Sequence, residues 1–380
     1  MTFDNYSVAS IQFAPGCSAN LANLLTLFKL SRPLIVTDKG VLEYELLDSS
    51  LKSLRNANLD YCLYSDVQAD PPESNVLAAT EIARKNSCDG VVGFGGGSSM
   101  DVAKLVAALL ASDQALQDMY GVDQITGSRL PLVQVPTTSG TGSEATHVAI
   151  ITTGESSKAG VVSRILFADA ILLDPELTLR LPPDITASTG IDAMVHAIEA
   201  FTSKHLKNPI SDMQALKALS LMSPSITTAV KDGSDMQARS NMLLGAMLAG
   251  QAFANAPVGA VHALAYPLGG LYHIPHGLSN SLVLPHVLRF NAPSAQSLYY
   301  QILQSMSIDC KPAEAGERLA NYFRCLAQDL NIPTRLRDFN IGEKDLVRLA
   351  KEAMLQQRLL HNNPREISLD QAFEIYQQAF

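Results

Sequence analysis

Between Thr189 and Phe201 the chain reads TGIDAMVHAIEAF, which sets Asp192 and His196 four residues apart. On a helix that spacing puts a carboxylate and an imidazole on one face, where both can reach the same metal ion. Further on, Gly259–Ser281 reads GAVHALAYPLGGLYHIPHGLSNS and carries His262, His273 and His276. One carboxylate with three imidazoles is a mixed oxygen and nitrogen donor set suited to Fe2+ or Zn2+. A solitary histidine in an apolar helix is more often a hydrogen-bonded core residue than a ligand. Here the Asp/His pair and the histidine cluster share one small-residue-rich half of the chain, which favours metal binding. Glu199 reads as a support for a ligand or as an ordinary helix-face charge, with more weight on the latter. His147, His205, His286 and His361 have no such company and read as structural or exposed.

A second kind of chemistry is written into the first half. Gly90–Asp101 reads GVVGFGGGSSMD, an apolar strand followed by glycines, serines and the start of an apolar-periodic helix. Glycine lets the backbone approach a phosphate closely, and the first free N–H groups of the helix point at it. Ser98 or Ser99 can cap that helix or bond the phosphate. The pattern is not GxGxxG and does not follow the first strand, so it predicts a variant dinucleotide fold. Val135–Glu144, VPTTSGTGSE, is a second strand-end loop, crowded with hydroxyls that can surround a ribose or phosphate. Asp38 directly follows the run PLIVT, where a carboxylate can accept hydrogen bonds from adenosine ribose hydroxyls and repel the extra phosphate of NADP. An Asp–Lys–Gly turn explains that residue equally well.

These residues need elements to hold them. Strands are predicted at Pro33–Thr37, Asp60–Tyr64, Gly90–Phe94 and Leu132–Pro136, with helices at Tyr44–Ala57, Asn75–Asn86 and Met100–Ala111. Such alternation implies a mostly parallel sheet with helices on its faces. Val148–Thr153 and Gly160–Ile165, separated by GESSKA, predict an antiparallel hairpin appended to that sheet. After Leu181-Pro182-Pro183 the character changes. Ala187–Thr202, Ser211–Val230, Asp235–Ala254, Pro312–Leu330 and Glu343–Gln356 are long apolar-periodic segments with few β-branched runs. The expected organisation is an α/β dinucleotide-binding domain over 1–181 and an all-α metal-binding domain over 182–380.

Composition narrows the partners. Hydrophobic residues make up 47% and charged residues 17% of 380, a balance for large cores rather than disorder. A net charge of −9 without a basic cluster gives no footprint for nucleic acid or an anionic membrane. The five cysteines form no CxxC pair, which fits a reducing compartment. The opening MTFDNYSVAS lacks the features of a signal peptide, and no run of about 18 apolar residues reads as a membrane span. The expectation is a soluble cytoplasmic protein.

With these motifs in this order, the sequence resembles the iron-containing (group III) alcohol dehydrogenase family along nearly the whole chain. The likeness rests on Phe94–Asp101 FGGGSSMD, Pro136–Glu144 PTTSGTGSE, Leu173–Leu181 LDPELTLRL, Gly190–Glu199 GIDAMVHAIE and Gly259–Gly277 GAVHALAYPLGGLYHIPHG. The resemblance implies Asp192, His196, His262 and His276 as the metal ligands. It places Asp38 at the adenosine ribose, and Gly96, Gly97 and Ser98 at the pyrophosphate of NAD. Asp101, Thr137, Thr138, Thr141, Ser143 and Lys158 match positions on the nicotinamide side. Some family members carry a second histidine four residues after the third ligand; this chain has Tyr266 there, which leaves His273 as the candidate for proton transfer.

The implied reaction is reversible, metal-assisted hydride transfer between a small alcohol and NAD, with a homodimer or higher homo-oligomer as the expected assembly. Alternatives on the same fold are a polyol (glycerol-type) dehydrogenase, a metal-free reductase and a dehydroquinate-synthase-like lyase. The full Asp–His–His–His set argues against the last two. A redox-silent nucleotide-binding protein is the rival from another class, opposed by the complete ligand and cofactor motifs.

Overall fold

The computed structural model describes residues 2–154 and 157–380, so Glu155 and Ser156 of the turn GESSKA lie outside the described residues. The chain divides into two compact units. One runs Tyr6–Arg180; the other takes Leu181–Phe380 together with the first residues through Asn5.

The first unit is built on a six-stranded sheet of β1 (Ser10–Phe13), β2 (Pro33–Val36), β3 (Cys62–Tyr64), β4 (Gly90–Gly95), β6 (Leu132–Pro136) and β9 (Ala170–Leu173), in the order β1-β9-β6-β4-β2-β3. Every pairing in it is parallel. β2, β4, β6 and β9 are buried at every position, as expected of strands covered on both faces. Helices α1 (Leu21–Leu27), α2 (Lys39–Glu43), α3 (Asp48–Asn56), α4 (Glu73–Lys85) and α5 (Gly97–Leu110) connect the early strands. β1 pairs with β9 from Ser10↔Ala170 to Phe13↔Leu173. Just past β9, Asp174 accepts the backbone N–H groups of Gly16 at 2.8 Å and Ser18 at 2.9 Å, tying the two ends of the unit together.

Two expectations are corrected here. The helix expected over Tyr44–Ala57 is instead α2 and α3, because Glu45 adopts a left-handed conformation (φ 56°) and Leu46 N–H bonds back to Val41. The hairpin does form, β7 (Val148–Thr153) against β8 (Ser157–Val162), but it is not part of the main sheet. β9 occupies the edge of β6 that the hairpin would have needed. β8 pairs instead with the short β5 (Gly121–Val122), making a separate three-stranded sheet.

The second unit is helical: α6 (Pro183–Thr202), α7 (Pro209–Lys231), α8 (Met236–Asn255), α9 (Ala260–Tyr272), α10 (His276–Ser305), α11 (Ala315–Asp329), α12 (Leu346–Met354), α13 (Gln357–Leu360) and α14 (Leu369–Ala379). α6 is buried on nearly all sides and packs against α7, α8 and α10, so it is a central helix rather than a surface one. Alanines and medium aliphatics dominate this core, which lets the helices approach closely. α7 starts on Asn208, whose Oδ1 accepts the N–H groups of Ile210 and Ser211.

Candidate metal centre and dinucleotide loops

Because α6 is buried all round, polar groups on it must find partners inside the protein. Asp192 and His196 stand one turn apart, with Glu199 a turn further along. α9 brings in His262 from its first turn, and His276 is the first residue of α10. The start of α10 can reach α6 only because residue 277 is glycine: a Cβ there would lie 2.2 Å from the carbonyl oxygen of Ser188. The result is a group of four, Asp192, His196, His262 and His276, whose ligating atoms all lie within 4.8 Å of one another. Asp192, His196 and His262 are buried, while the His276 side chain is 42% exposed.

The hydrogen positions in this cluster are constrained by its neighbours. Glu199 Oε2 lies 2.6 Å from His262 Nδ1, and a carboxylate only accepts, so that nitrogen carries a proton. In the neutral ring the lone pair is therefore on Nε2, which faces His196 Nε2 at 3.0 Å and Asp192 Oδ1 at 4.0 Å. His276 Nε2 stands 3.6 Å from the same Asp192 oxygen. Asn280 Nδ2 donates to Asp192 Oδ1 at 2.6 Å and sits 3.3 Å from both His262 Nε2 and His276 Nε2. Asn280 Oδ1 is buried with no hydrogen-bond partner among the described residues. Lone pairs converging on one point call for a cation, and this donor set fits a divalent transition metal. Burial pushes the Asp192 carboxyl up, but the facing His196, His276 and His262 and the Asn280 amide outweigh it and hold it below its ordinary range.

Glu199 thus corrects the expectation of an ordinary helix-face charge. It is 5% exposed, and its Oε1 also accepts the N–H of Val261 at 2.7 Å. The sequence offers support of a ligand only as the lighter reading of Glu199, and Asn280 does not stand out in it at all, since both acquire their role from helices that meet only in the fold. His273 is exposed and closes α9 in a left-handed conformation (φ 55°), outside the group of four. Tyr266 packs its ring 6.1 Å from that of His276.

In the first unit, the chain passes from β2 outward to β3, then returns across β2 to β4 and on to β6 and β9. The carboxyl ends of β2 and β4 therefore flank a topological switch point, where open α/β sheets leave a crevice for ligands. Asp38 lies there: its Oδ1 accepts Val41 N–H at 3.1 Å, capping α2, and its Oδ2 accepts Ser99 Oγ at 3.2 Å. The turn reading and the ribose reading are thus compatible, since each carboxylate oxygen keeps a further lone pair. Gly96 caps α5 without a side-chain bond, leaving the N–H groups of its first turn to a ligand. Gly97 must be glycine, because a Cβ there would meet Thr141 Cγ2 at 2.8 Å. That approach sets the loop carrying Thr137, Thr138 and Thr141 against the loop carrying Ser98, and Thr137 N–H bonds Gly95 O at 3.0 Å.

Behind these loops lies a buried polar network. Lys104 of α5, with no exposed surface, directs its ammonium at Ser143 Oγ (2.8 Å), Thr146 Oγ1 (3.1 Å), Val148 O (2.6 Å) and Asp101 Oδ1 (3.4 Å). Asp101 also accepts Ser143 Oγ at 2.5 Å and Ile150 N–H at 2.9 Å. Asp101 and Ser143 are therefore held by protein partners rather than left open along the loop. Burial pulls the Lys104 ammonium down against the pull of Asp101, and pushes the enclosed Glu144 carboxyl up to about 7. Lys158 is anchored elsewhere, pairing with Asp70 Oδ1 at 2.5 Å and Thr152 Oγ1 at 3.1 Å. Lys104 was missed by sequence reasoning, although a lone lysine three residues after Asp101 in an apolar helix was the available signal.

Comparison with known proteins bears on both regions. Residues 9–175 match the description "Iron-containing alcohol dehydrogenase", and residues 186–380 match "Fe-containing alcohol dehydrogenase family, C-terminal". The long-chain-alcohol dehydrogenase 1 of Geobacillus thermodenitrificans is 39% identical over 356 residues, 91% of this chain and 89% of its own length. A solved 1,3-propanediol oxidoreductase matches with a TM-score of 0.96 at 33% identity, covering 100% of both chains. The NAD+ complex of sulfoacetaldehyde reductase from Bifidobacterium kashiwanohense gives a TM-score of 0.91 at 30% identity, covering 100% of this chain and 99% of that one.

Proposed function

The chain belongs to the iron-containing alcohol dehydrogenase family, and on that premise we propose that it interconverts a small primary alcohol or diol and its aldehyde, with NAD as the hydride carrier. The observation that carries the reading is the convergence of Asp192, His196, His262 and His276, with the lone pair of His262 Nε2 aimed at the other donors. When bound, Fe2+ supplies Lewis-acid polarisation of the substrate oxygen, and NAD takes or returns hydride at its nicotinamide C4.

The protein's own groups do the holding. Asp192, His196, His262 and His276 bind the metal. Asp38 accepts from the adenosine ribose, and the first-turn N–H groups of α5 at Gly96, Gly97 and Ser98 receive the pyrophosphate. Thr137, Thr138 and Thr141 line the nicotinamide side, with Asp101 and Ser143 bracing that loop from behind; Lys158 joins them only by leaving its pairing with Asp70 and Thr152. His273 moves a proton to solvent; His273→Gln should then change the pH–rate profile of aldehyde reduction with metal content unchanged. An unaltered profile returns His273 to its role as the end of α9.

We read the enzyme as a cytoplasmic homodimer or higher oligomer, with no nucleic-acid or membrane partner; among the described residues no single helix is long and apolar enough to cross a membrane. The test is anaerobic purification with metal analysis, followed by NADH-linked kinetics across short aldehydes, diols and alcohols. No turnover on any of them by the iron-loaded protein would overturn the reading.

A further inference from the structure

We propose that Glu199 is the positioning residue of the metal centre, fixing the tautomer and ring angle of His262 and so setting how tightly the four donors hold a divalent ion. The inference rests on the metal-site reading above and deepens it.

Glu199 makes two bonds of different kinds from one buried carboxylate. Oε2 takes the Nδ1 proton of His262 at 2.6 Å, and Oε1 takes the backbone N–H of Val261 at 2.7 Å. Val261 lies in the first turn of α9, whose N-cap Gly259 provides no side-chain bond. Those first N–H groups have no partner within their own helix, and a negative charge there is favoured by the helix dipole. Glu199 therefore caps α9 from α6 and grips the ring carried on the same turn. Asp192 and His196 belong to α6 as well, so one helix fixes three of the four donors, directly or through this carboxylate.

Two consequences follow for the imidazole. In the neutral ring a carboxylate on Nδ1 excludes the tautomer in which Nε2 bears the proton, so the Nε2 lone pair is available to a metal. The same bond fixes the angle of the ring, so that Nε2 is held facing His196 Nε2 and Asp192 Oδ1. Behind Glu199 a small cavity with room for about one water is lined by Thr202, Asn291, Tyr299, Asn362 and Asn363.

The experiment strips the full-length protein of metal and reloads it with Co2+ or Zn2+ against a competing chelator. Glu199→Gln keeps the size but has a single acceptor oxygen, so it cannot receive both N–H groups. Its metal affinity should fall about 10- to 100-fold, and the visible absorption bands of bound Co2+ should shift, while NADH affinity stays at the wild-type value. Glu199→Asp, which keeps the charge but withdraws it by one methylene, should recover part of the loss. A Glu199→Gln protein with wild-type affinity and an unchanged Co2+ spectrum would overturn the proposal, even if its melting temperature fell. Should the variants fail to fold, 15N NMR of the wild-type zinc form decides: a slowly exchanging Nδ1 proton on His262 supports the proposal, and its absence overturns it. If the wild type binds neither metal, the functional reading itself fails, an outcome distinct from wild-type binding with an indifferent Glu199→Gln.

Discussion

Two buried clusters of charged groups sit in the two units, and they solve opposite problems. Around Lys104 the ammonium hydrogens meet four oxygens within 3.4 Å, and Asp101 is balanced by that ammonium, by Ser143 and by Ile150 N–H. Around Asp192 the lone pairs of three imidazoles and a carboxylate face each other, with the Asn280 amide as a shared donor. The first network is closed by its own protons. The second gathers ring nitrogens and a carboxylate oxygen around one donor amide, an arrangement that a positive charge from outside would close. Both are buried and both contain a carboxylate, so neither burial nor composition separates a strut from a site. The balance of donors and acceptors does.

Removing one member of each cluster should break them differently. His262→Ala takes away one of the four metal donors, and with it the partner of Glu199 Oε2, so it should remove the several kcal/mol of transition-state stabilisation a Lewis acid supplies. At 1.36 kcal/mol per decade that is about a thousandfold or more in kcat/KM, with NADH affinity retained. Steady-state kinetics and fluorescence titration check it; near-normal turnover in the metal-free variant would erase the contrast. Lys104→Met, by comparison, leaves the half-buried Asp101 with no cation, a change that costs about 3 kcal/mol of stability, the low end for a broken buried pair because the carboxylate keeps some contact with solvent. Urea unfolding should show that loss, with the metal content of the folded protein unchanged. A variant as stable as wild type would mean the closed network is decorative.

The pH dependence sharpens the same comparison. Burial raises the Glu144 carboxyl from its ordinary 4.5 to about 7, so folding favours its protonated form. Its contribution to stability is therefore complete below about 4.5 and is lost as pH rises through about 7, a span of roughly 3 kcal/mol. Glu144→Gln should flatten the stability profile between those values; an unchanged slope in denaturant melts would assign the effect elsewhere. The smallest expected effect concerns Asp38, half-buried like Asp101 but with no ammonium beside it. A 2′-phosphate at ~4 Å from this carboxylate is repelled by roughly 4 kcal/mol at an effective dielectric of ~20 before screening, and a third of that is about tenfold. Asp38→Gly should narrow the NAD/NADP ratio of kcat/KM by about that factor, chiefly by improving NADP. A ratio that does not move leaves Asp38 as the cap of α2 alone.

Much of this was legible in the sequence where the signal is local. β2, β4 and β6 announce themselves as apolar runs because both faces of the sheet are covered. The Asp192/His196 pair is visible because helical spacing alone puts the two on one face. What escaped depends on contacts between distant segments. Glu199 and His262 are 63 residues apart, and Asn280 and Asp192 are 88 apart. α9 and α10 were not read as helices because Pro267, Pro285 and Pro293 interrupt them, and packing overrides the local penalty. The break between α2 and α3 turns on a left-handed Glu45, a conformation that the residue type does not advertise.

The clasp between Asp174 and the first loop carries a consequence for synthesis. Gly16 and its acceptor are 158 residues apart, and among the described residues β1 has no neighbour in its sheet other than β9. A ribosome adding ~5–20 residues per second needs about 8–30 s to cover that distance. Throughout that interval the first strand has been made but its partner has not, and its backbone groups are available to any other extended chain. The sheet of the first unit therefore cannot be completed as it emerges; its last pairing waits until the segment around Ala170 is released. Its vulnerability to misassembly is greatest on polysomes, where neighbouring nascent chains present the same unpaired strand at high local concentration.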